Sequence, residues 1–100
     1  MSCCDENRDP AAQATAKATQ DKFLDFMKSA GGPGALDART KRALAVALSV
    51  LARCEPCAKI HIRKAKEAGL SQDEIDEAAW MAVSFGGCST MMFYNEVKKG

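Results

Sequence analysis

The chain has 100 residues, of which 47% are hydrophobic, and its formal net charge at pH 7 is +1. This length and composition fit one small globular domain, for which association between copies would add buried apolar surface. The near-neutral charge gives no reason to expect nucleic acid or an anionic membrane as a partner.

The start of the chain and its longest apolar run bear on where the protein works. Residues 1–9 lack the apolar run of a secretory signal peptide. The longest uninterrupted apolar stretch, residues 43–48, is far shorter than the ~20 residues that span a bilayer. We therefore expect a cytoplasmic protein, in which the five cysteines are more typical of reduced, catalytic or metal-bound thiols than of a disulfide framework.

The first half of the chain predicts a tail and two helices. Residues 1–10 are polar and end at a proline, so we expect a flexible N-terminal tail. Residues 11–29 are rich in helix formers, and the glycine- and proline-rich residues 30–34 break the helix. Asp37 is placed to cap a second helix, which runs to about Arg53. Because that helix is apolar on nearly every side, we expect it to be central.

The second half predicts three more helices. The third begins near Cys54 and ends at about Ala68, where a following glycine suits the left-handed position after a helix. Residues 71–74 form a capping box for the fourth helix. A glycine pair interrupts that helix, and residues 90–99 predict a last short one. Since no segment alternates like a strand, we predict an all-α, single-domain bundle of about five helices over residues 11–100.

The most informative segment places Cys54, Cys57 and His61, the only histidine, within eight residues. With Pro56 at the first helical position, both cysteines lie at or near a helix N-terminus, where the dipole favours the thiolate. At about 100° per residue, His61 lies about 40° from Cys57 on the same helix face. An imidazole in that place can accept or return a proton. The pattern predicts a dithiol redox site.

Two other interpretations of this segment stay open. Its side chains could be small or hydrogen-bonded residues packed in a core. They could also hold a structural zinc ion, which needs four ligands. Cys88, or Cys3 and Cys4, could complete such a site, but nothing in the sequence brings these residues close to the segment.

A redox pair, by contrast, needs no further ligand. Cys57, one turn from His61, is predicted to attack an oxidised substrate such as a hydroperoxide, which gives a sulfenic acid. Cys54 then condenses with that sulfur to form a disulfide, and an external dithiol restores the pair. The predicted catalytic residues are therefore Cys54, Cys57 and His61, with no bound cofactor or metal.

The order of the motifs resembles the carboxymuconolactone decarboxylase superfamily. Four segments carry the resemblance: residues 36–41, the alanine-rich second helix, the CxxCxxxH segment at 54–61, and residues 68–75. The CxxCxxxH signature matches the branch typified by alkyl hydroperoxidase D, and the similarity extends over residues 36–94. The resemblance implies an all-helical fold assembled as trimers or hexamers. It also implies peroxidase or disulfide-reductase chemistry at Cys54 and Cys57, with His61 in the proton relay.

The chain departs from the family's peroxidase pattern at Arg42. That pattern has a relay glutamate there, twelve residues before the first cysteine. A guanidinium cannot accept a proton, although it can stabilise a thiolate. Glu55, Glu67 and Glu77 are candidates to replace the missing acid. We predict an alkylhydroperoxidase that reduces hydroperoxides; the alternatives are a disulfide reductase or thiol electron carrier, and a Cys/His metal-binding or redox-sensing module.

Overall fold

The structure, a computed structural model, describes residues 9–100. The chain separates after Gly32 into two compact units. The described part of the first unit is α1 (Pro10–Gly31). The second unit contains four helices, which are α2 (Ala38–Leu51), α3 (Glu55–Glu67), α4 (Gln72–Gly86) and α5 (Cys88–Val97). Five helices and no strand among residues 9–100 confirm the predicted all-α class. The predicted tail falls almost wholly outside the described residues, and the single domain over residues 11–100 stays a prediction.

The helix of the first unit, α1, begins where its cap and its proline place it. The Asp9 carboxylate accepts a hydrogen bond from the N–H of Ala11 at 3.1 Å, and proline takes the first helical position. No residue of α1 is buried. Its last turns carry four exposed apolar side chains, namely Phe23, Leu24, Phe26 and Met27. None of the helices among the described residues is long and apolar enough to cross a membrane.

The second unit is built around α2, as the sequence predicts. This helix packs against α3, α4 and α5. Asp37 caps it by accepting a hydrogen bond from the N–H of Thr40 at 2.7 Å, and this bond holds the pKa of the carboxyl below its ordinary value. α2 ends at Leu51, two residues before the predicted end, because Arg53 adopts a left-handed backbone conformation that no helix can include.

The remaining helix boundaries follow local signals. α3 ends before Gly69, whose φ of 94° fits the predicted left-handed position. α4 starts with the predicted capping box between Ser71 and Glu74. α5 begins at Cys88, two residues earlier than predicted, because Gly87 alone separates it from α4. These signals fix where each helix of the second unit turns back on the others.

The core of the second unit is small and rich in alanine. It consists of Val46, Val50, Ala58, Ile62, Ala65, Leu70, Ile75, Ala79, Ala82, Tyr94 and Val97. The alanines on α3 and α4 allow close approach to the neighbouring helices. Phe85 shares the helical spacing of the buried α4 residues but is 80% exposed. Much of the apolar surface of this unit therefore lies outside its own core.

Candidate dithiol site

Cys54 is held between the end of one helix and the start of the next. Its backbone N–H donates a hydrogen bond to the carbonyl of Ser49 at 3.3 Å. The N–H of Arg53 donates to the carbonyl of Val50 at 3.1 Å, and the φ of Arg53 is 55°. This pair of bonds around a left-handed residue is a Schellman motif. Since Cys54 is also the N-cap of α3, both helices determine its position.

Cys54 and Cys57 are brought together by the first turn of α3. Their Sγ atoms are joined in a disulfide, and their Cα atoms lie 5.2 Å apart. The backbone N–H of Cys57 also donates a hydrogen bond to Cys54 Sγ at 3.3 Å. Cys57 is exposed, whereas Cys54 is partly buried. Pro56 takes the second helical position rather than the predicted first, because Glu55 is already helical.

His61 lies one turn after Cys57 and is partly buried. Its Nδ1 atom is buried and has no hydrogen-bond partner among residues 9–100. Burial lowers the pKa of His61, and the nearby cations Lys64 and Arg42 lower it further. Because an unperturbed histidine has a pKa of about 6.5, this imidazole is neutral at pH 7. A neutral imidazole can accept a proton from a thiol.

Arg42 and Lys64 approach His61 from two helices. The short connection of residues 52–54 makes α2 and α3 an antiparallel pair, in which residues equally far from Arg53 lie side by side. Arg42 precedes Arg53 by eleven residues, and Lys64 follows it by eleven. Both are partly buried, and within the described part of the chain neither has a carboxylate at ion-pair distance. The histidine therefore lies in an electropositive environment.

The structure places none of the three candidate glutamates at the histidine. Glu55 and Glu67 form ion pairs, at 3.1 and 3.8 Å, with cations four residues away on α3. Glu77 is exposed on α4. Among the described residues, no carboxylate contributes to the pKa shift of His61. Within the described residues, the imidazole therefore has no carboxylate partner.

The described residues offer no ligand set for a metal. In the range 9–100, no three histidine, cysteine, aspartate or glutamate side chains are grouped so that they could hold a metal ion. Cys88, one predicted source of a fourth ligand, is an exposed free cysteine at the first position of α5. Cys3 and Cys4, the other source, lie outside the described residues.

Sequence reasoning missed two features of the site. Lys64 was not singled out, although its spacing of three residues from His61 places the two on one helix face. The left-handed conformation of Arg53 was missed as well, and no sequence signal announced it, because glycine is the usual residue at that position. Arg53 Nη2 also lies 3.4 Å from the hydroxyl of the buried Thr90, to which it donates a hydrogen bond.

Comparison with known proteins identifies relatives of this chain. A protein of Paracoccus denitrificans, uncharacterized protein 4 in the cox locus, is 39% identical over 62 residues, which cover 62% of this chain. The match spans 56% of that relative, little more than half its length.

Solved structures show the same fold. A carboxymuconolactone decarboxylase family protein from Legionella pneumophila superposes with a TM-score of 0.77 at 28% identity, over 85% of this chain and 76% of that protein. A second family member, from Thermotoga maritima, is suggested to take part in an antioxidative response. It superposes with a TM-score of 0.76 at 26% identity, over 82% of this chain and 84% of that protein.

The family model covers most of the chain, from within α1 to within α5, and includes the whole dithiol site. Residues 17–96 match the model of the carboxymuconolactone decarboxylase family. The match agrees with the five-helix architecture and with the resemblance in motif order. The chain belongs to the carboxymuconolactone decarboxylase family.

Proposed function

We propose that the protein is a thiol oxidoreductase that cycles Cys54 and Cys57 between a dithiol and a disulfide. The observation that carries this proposal is the placement of both sulfurs at the start of α3, with their Cα atoms 5.2 Å apart. Disulfide-forming cysteines have Cα atoms 4.4–6.8 Å apart, as a rough range, so the pair can open and close without rearranging the backbone.

Hydroperoxides are the first candidate oxidants. The Cys57 thiolate would attack the terminal peroxide oxygen, break the O–O bond and become a sulfenic acid, while the alkoxide takes a proton to leave as an alcohol. The Cys54 thiolate would then displace water from the Cys57 sulfur and close the disulfide. His61 would accept the proton of the Cys57 thiol and return it to the alkoxide. An external dithiol would supply the two electrons that reopen the disulfide.

Two observations support hydroperoxide as the oxidant. The CxxCxxxH signature is that of the alkyl hydroperoxidase D branch. The Thermotoga maritima relative is suggested to take part in an antioxidative response.

Two other observations favour a second candidate function, exchange with disulfides. No described carboxylate acts on His61, and Arg42 stands where the peroxidase pattern has its acid. Disulfide exchange releases a thiolate, which needs a proton far less than an alkoxide does.

The test compares both oxidants with one set of variants. Consumption of a hydroperoxide and reduction of a small disulfide would be followed with a dithiol as electron donor. Cys57→Ser should reduce turnover by about a hundredfold or more, since it removes the attacking sulfur. Cys88→Ser, which changes a cysteine outside the pair, should leave turnover at the wild-type level. Activity that survives Cys57→Ser would refute the assigned role of that residue.

Two further outcomes separate the alternatives. Turnover of the disulfide without turnover of any hydroperoxide would assign the protein to disulfide exchange. Stoichiometric zinc in the reduced protein, released when the thiols are blocked, would contradict the catalytic proposal and favour a metal-binding module.

We also propose that the protein assembles as a homo-oligomer. Leu44, Leu48 and Leu51 recur at one-turn spacing on α2 and are 38–62% exposed. A stripe of three exposed leucines on a central helix is typical of a surface that another copy covers. Leu48→Glu should shift the mass measured by size-exclusion chromatography with light scattering to a smaller species. Asn95→Glu, which adds the same charge at an exposed polar position, should not.

A further inference from the structure

One face of α3 carries the groups that surround the exposed sulfur. Relative to Cys57, a helix of 100° per residue places His61 at about +40° and Lys64 at about −20°. Lys64 lies two turns further on, about 10 Å along the helix axis. Arg42 approaches the same imidazole from α2. A reactive sulfur and two cations therefore flank one histidine on one side of the helix pair.

Lys64 and Arg42 differ from Lys59 and Arg63, two other cations of α3, in having no acidic partner among the described residues. Lys59 and Arg63 are exposed, and each has a glutamate four residues away as an ion-pair partner. Lys64 and Arg42 are partly buried, and in residues 9–100 neither has a carboxylate at ion-pair distance. Partial burial of two like charges without an anion is unfavourable unless an anion binds between them.

We propose that Arg42 and Lys64 bind a carboxylate of the substrate, so that the preferred oxidant is a small anionic disulfide or hydroperoxide. This inference rests on the proposed thiol oxidoreductase function and names its substrate class. The carboxylate would lie between the two cations, roughly one to two helical turns (about 5–10 Å) from the Cys57 sulfur. That distance corresponds to the span of an aromatic or short aliphatic acid. His61, on which both cations act, has a buried Nδ1 atom without a hydrogen-bond partner among residues 9–100.

With a disulfide as oxidant, the reaction takes two steps. The Cys57 thiolate attacks one sulfur of the substrate, the substrate's S–S bond breaks, and one thiolate leaves. The Cys54 thiolate then attacks the Cys57 sulfur and releases the second thiolate, so that the protein dithiol is oxidised by two electrons and the substrate is reduced to two thiols. Arg42 and Lys64 hold the substrate's carboxylate during the first step and take no part in the electron transfer.

The test uses two disulfide probes that differ in charge. The anionic probe is 5,5′-dithiobis(2-nitrobenzoate) and the neutral probe is 4,4′-dithiodipyridine; both release a chromophoric thiol. Rates are measured by stopped flow on the reduced full chain, in a background where Cys3, Cys4 and Cys88 are serine. Arg42→Gln and Lys64→Gln are compared with Arg63→Gln, which removes a cation from the same helix pair where it already has an acidic partner.

We expect Arg42→Gln and Lys64→Gln each to lower the rate ratio of the anionic to the neutral probe by about tenfold, whereas Arg63→Gln leaves the ratio within about twofold. High salt should lower the wild-type ratio as well, since screening weakens the attraction. A second arm compares 4-(2-hydroperoxypropan-2-yl)benzoate, an aromatic hydroperoxide with a carboxylate, with cumene hydroperoxide, which is the same molecule without the carboxylate. A shift of the ratio in one arm only assigns the anionic substrate to that class.

The outcomes distinguish the inference from the function on which it rests. If wild type reacts with the neutral probe, but neither substitution changes either ratio, the carboxylate site is refuted and the dithiol function stands. If the reduced pair releases no chromophore from either probe and consumes no hydroperoxide, the proposed function itself fails.

Discussion

The backbone N–H of Cys57 donates a hydrogen bond to the Sγ atom of Cys54 at 3.3 Å, so a cysteine takes the place that serine, threonine or aspartate usually has at a helix N-cap. A thiolate accepts such a bond better than a thiol does, and the helix dipole acts in the same direction. The two sulfurs therefore differ in their surroundings: in the reduced protein the backbone donor and the dipole would favour a Cys54 thiolate, whereas the side chain of Cys57 is exposed.

This difference predicts that the reduced Cys54 thiol ionises below the ordinary value of about 8.5. The measurement is a titration of thiolate absorbance in a Cys57→Ser variant, which keeps the backbone donor, with Cys3, Cys4 and Cys88 changed to serine. The matching Cys54→Ser variant reports on Cys57. If both thiols ionise near 8.5, the argument from the N-cap and the dipole is wrong.

The electropositive environment of His61 predicts that Arg42→Glu raises the pKa of the imidazole. In the wild-type protein, three effects favour the neutral ring: its burial, the charge of Lys64 and the charge of Arg42. An anion in place of Arg42 would remove one of the two repulsive charges and add an attractive one, so the charged ring becomes more favourable. A titration of the His61 ring protons by NMR measures the shift. Lys66→Glu makes the same charge change at an exposed α3 position and should have a much smaller effect.

The lowered pKa of His61 in the wild-type protein also makes the stability of the fold depend on pH. Because the pKa of His61 is lowered in the folded state, the unfolded chain binds a proton more readily. This contribution to stability is fully present above about pH 6.5, the unfolded pKa, and is lost as the pH falls below it. Arg42→Glu should therefore weaken the pH dependence of unfolding in that range, which chemical denaturation at several pH values would detect.

Local signals explain why the helix boundaries could be predicted from the sequence. Asp37, the Ser71–Glu74 capping box and Gly69 each act through hydrogen bonds or backbone geometry within a few residues, and each does what its pattern predicts. The CxxC spacing likewise brings Cys54 and Cys57 together through one turn of helix. Such features need no knowledge of the rest of the fold.

Features that depend on packing between helices were not accessible in this way. The approach of Arg42 to His61 depends on how α2 lies along α3, which the spacing of neither helix specifies. Phe85 shares the helical spacing of the buried α4 residues and is nevertheless exposed, since spacing along one helix does not show how far the neighbouring helices extend beside it. The charge environment of the site therefore became visible in the structure alone.

The left-handed conformation of Arg53 predicts that Arg53→Gly stabilises the protein by about 1 kcal/mol. A residue with a Cβ atom pays roughly 1–2 kcal/mol for a left-handed backbone conformation, and glycine does not. Glycine loses more conformational entropy on folding, which offsets part of this gain. Loss of the 3.4 Å hydrogen bond to Thr90 removes little, since it is long. Arg53→Ala removes the same hydrogen bond but keeps the Cβ atom, and should show no gain. Denaturant unfolding curves measure both; equal effects would mean that the backbone is relaxed.

At Gly86, which ends α4, we expect the opposite: replacing the glycine should destabilise the protein. A Cβ atom at this position would lie 3.0 Å from Cβ of the buried Thr90 and 3.1 Å from Cδ1 of Leu51, and would also meet the Thr90 hydroxyl. Gly86→Ala should therefore destabilise the protein by about 1–3 kcal/mol through overpacking. Gly34→Ala, where nothing lies within 4 Å of the new atom, should be neutral or slightly stabilising.

A double variant separates this close contact from a general effect of the glycine. Thr90→Ala makes room for the new Cβ atom, so the cost of Gly86→Ala should be smaller in the Thr90→Ala background than in the wild type. Unfolding free energies of the four proteins give the coupling between the two residues. Equal costs in both backgrounds would show that the Thr90 hydroxyl does not determine the need for glycine, and would leave the Cβ atom of residue 90 and the Leu51 side chain as its cause.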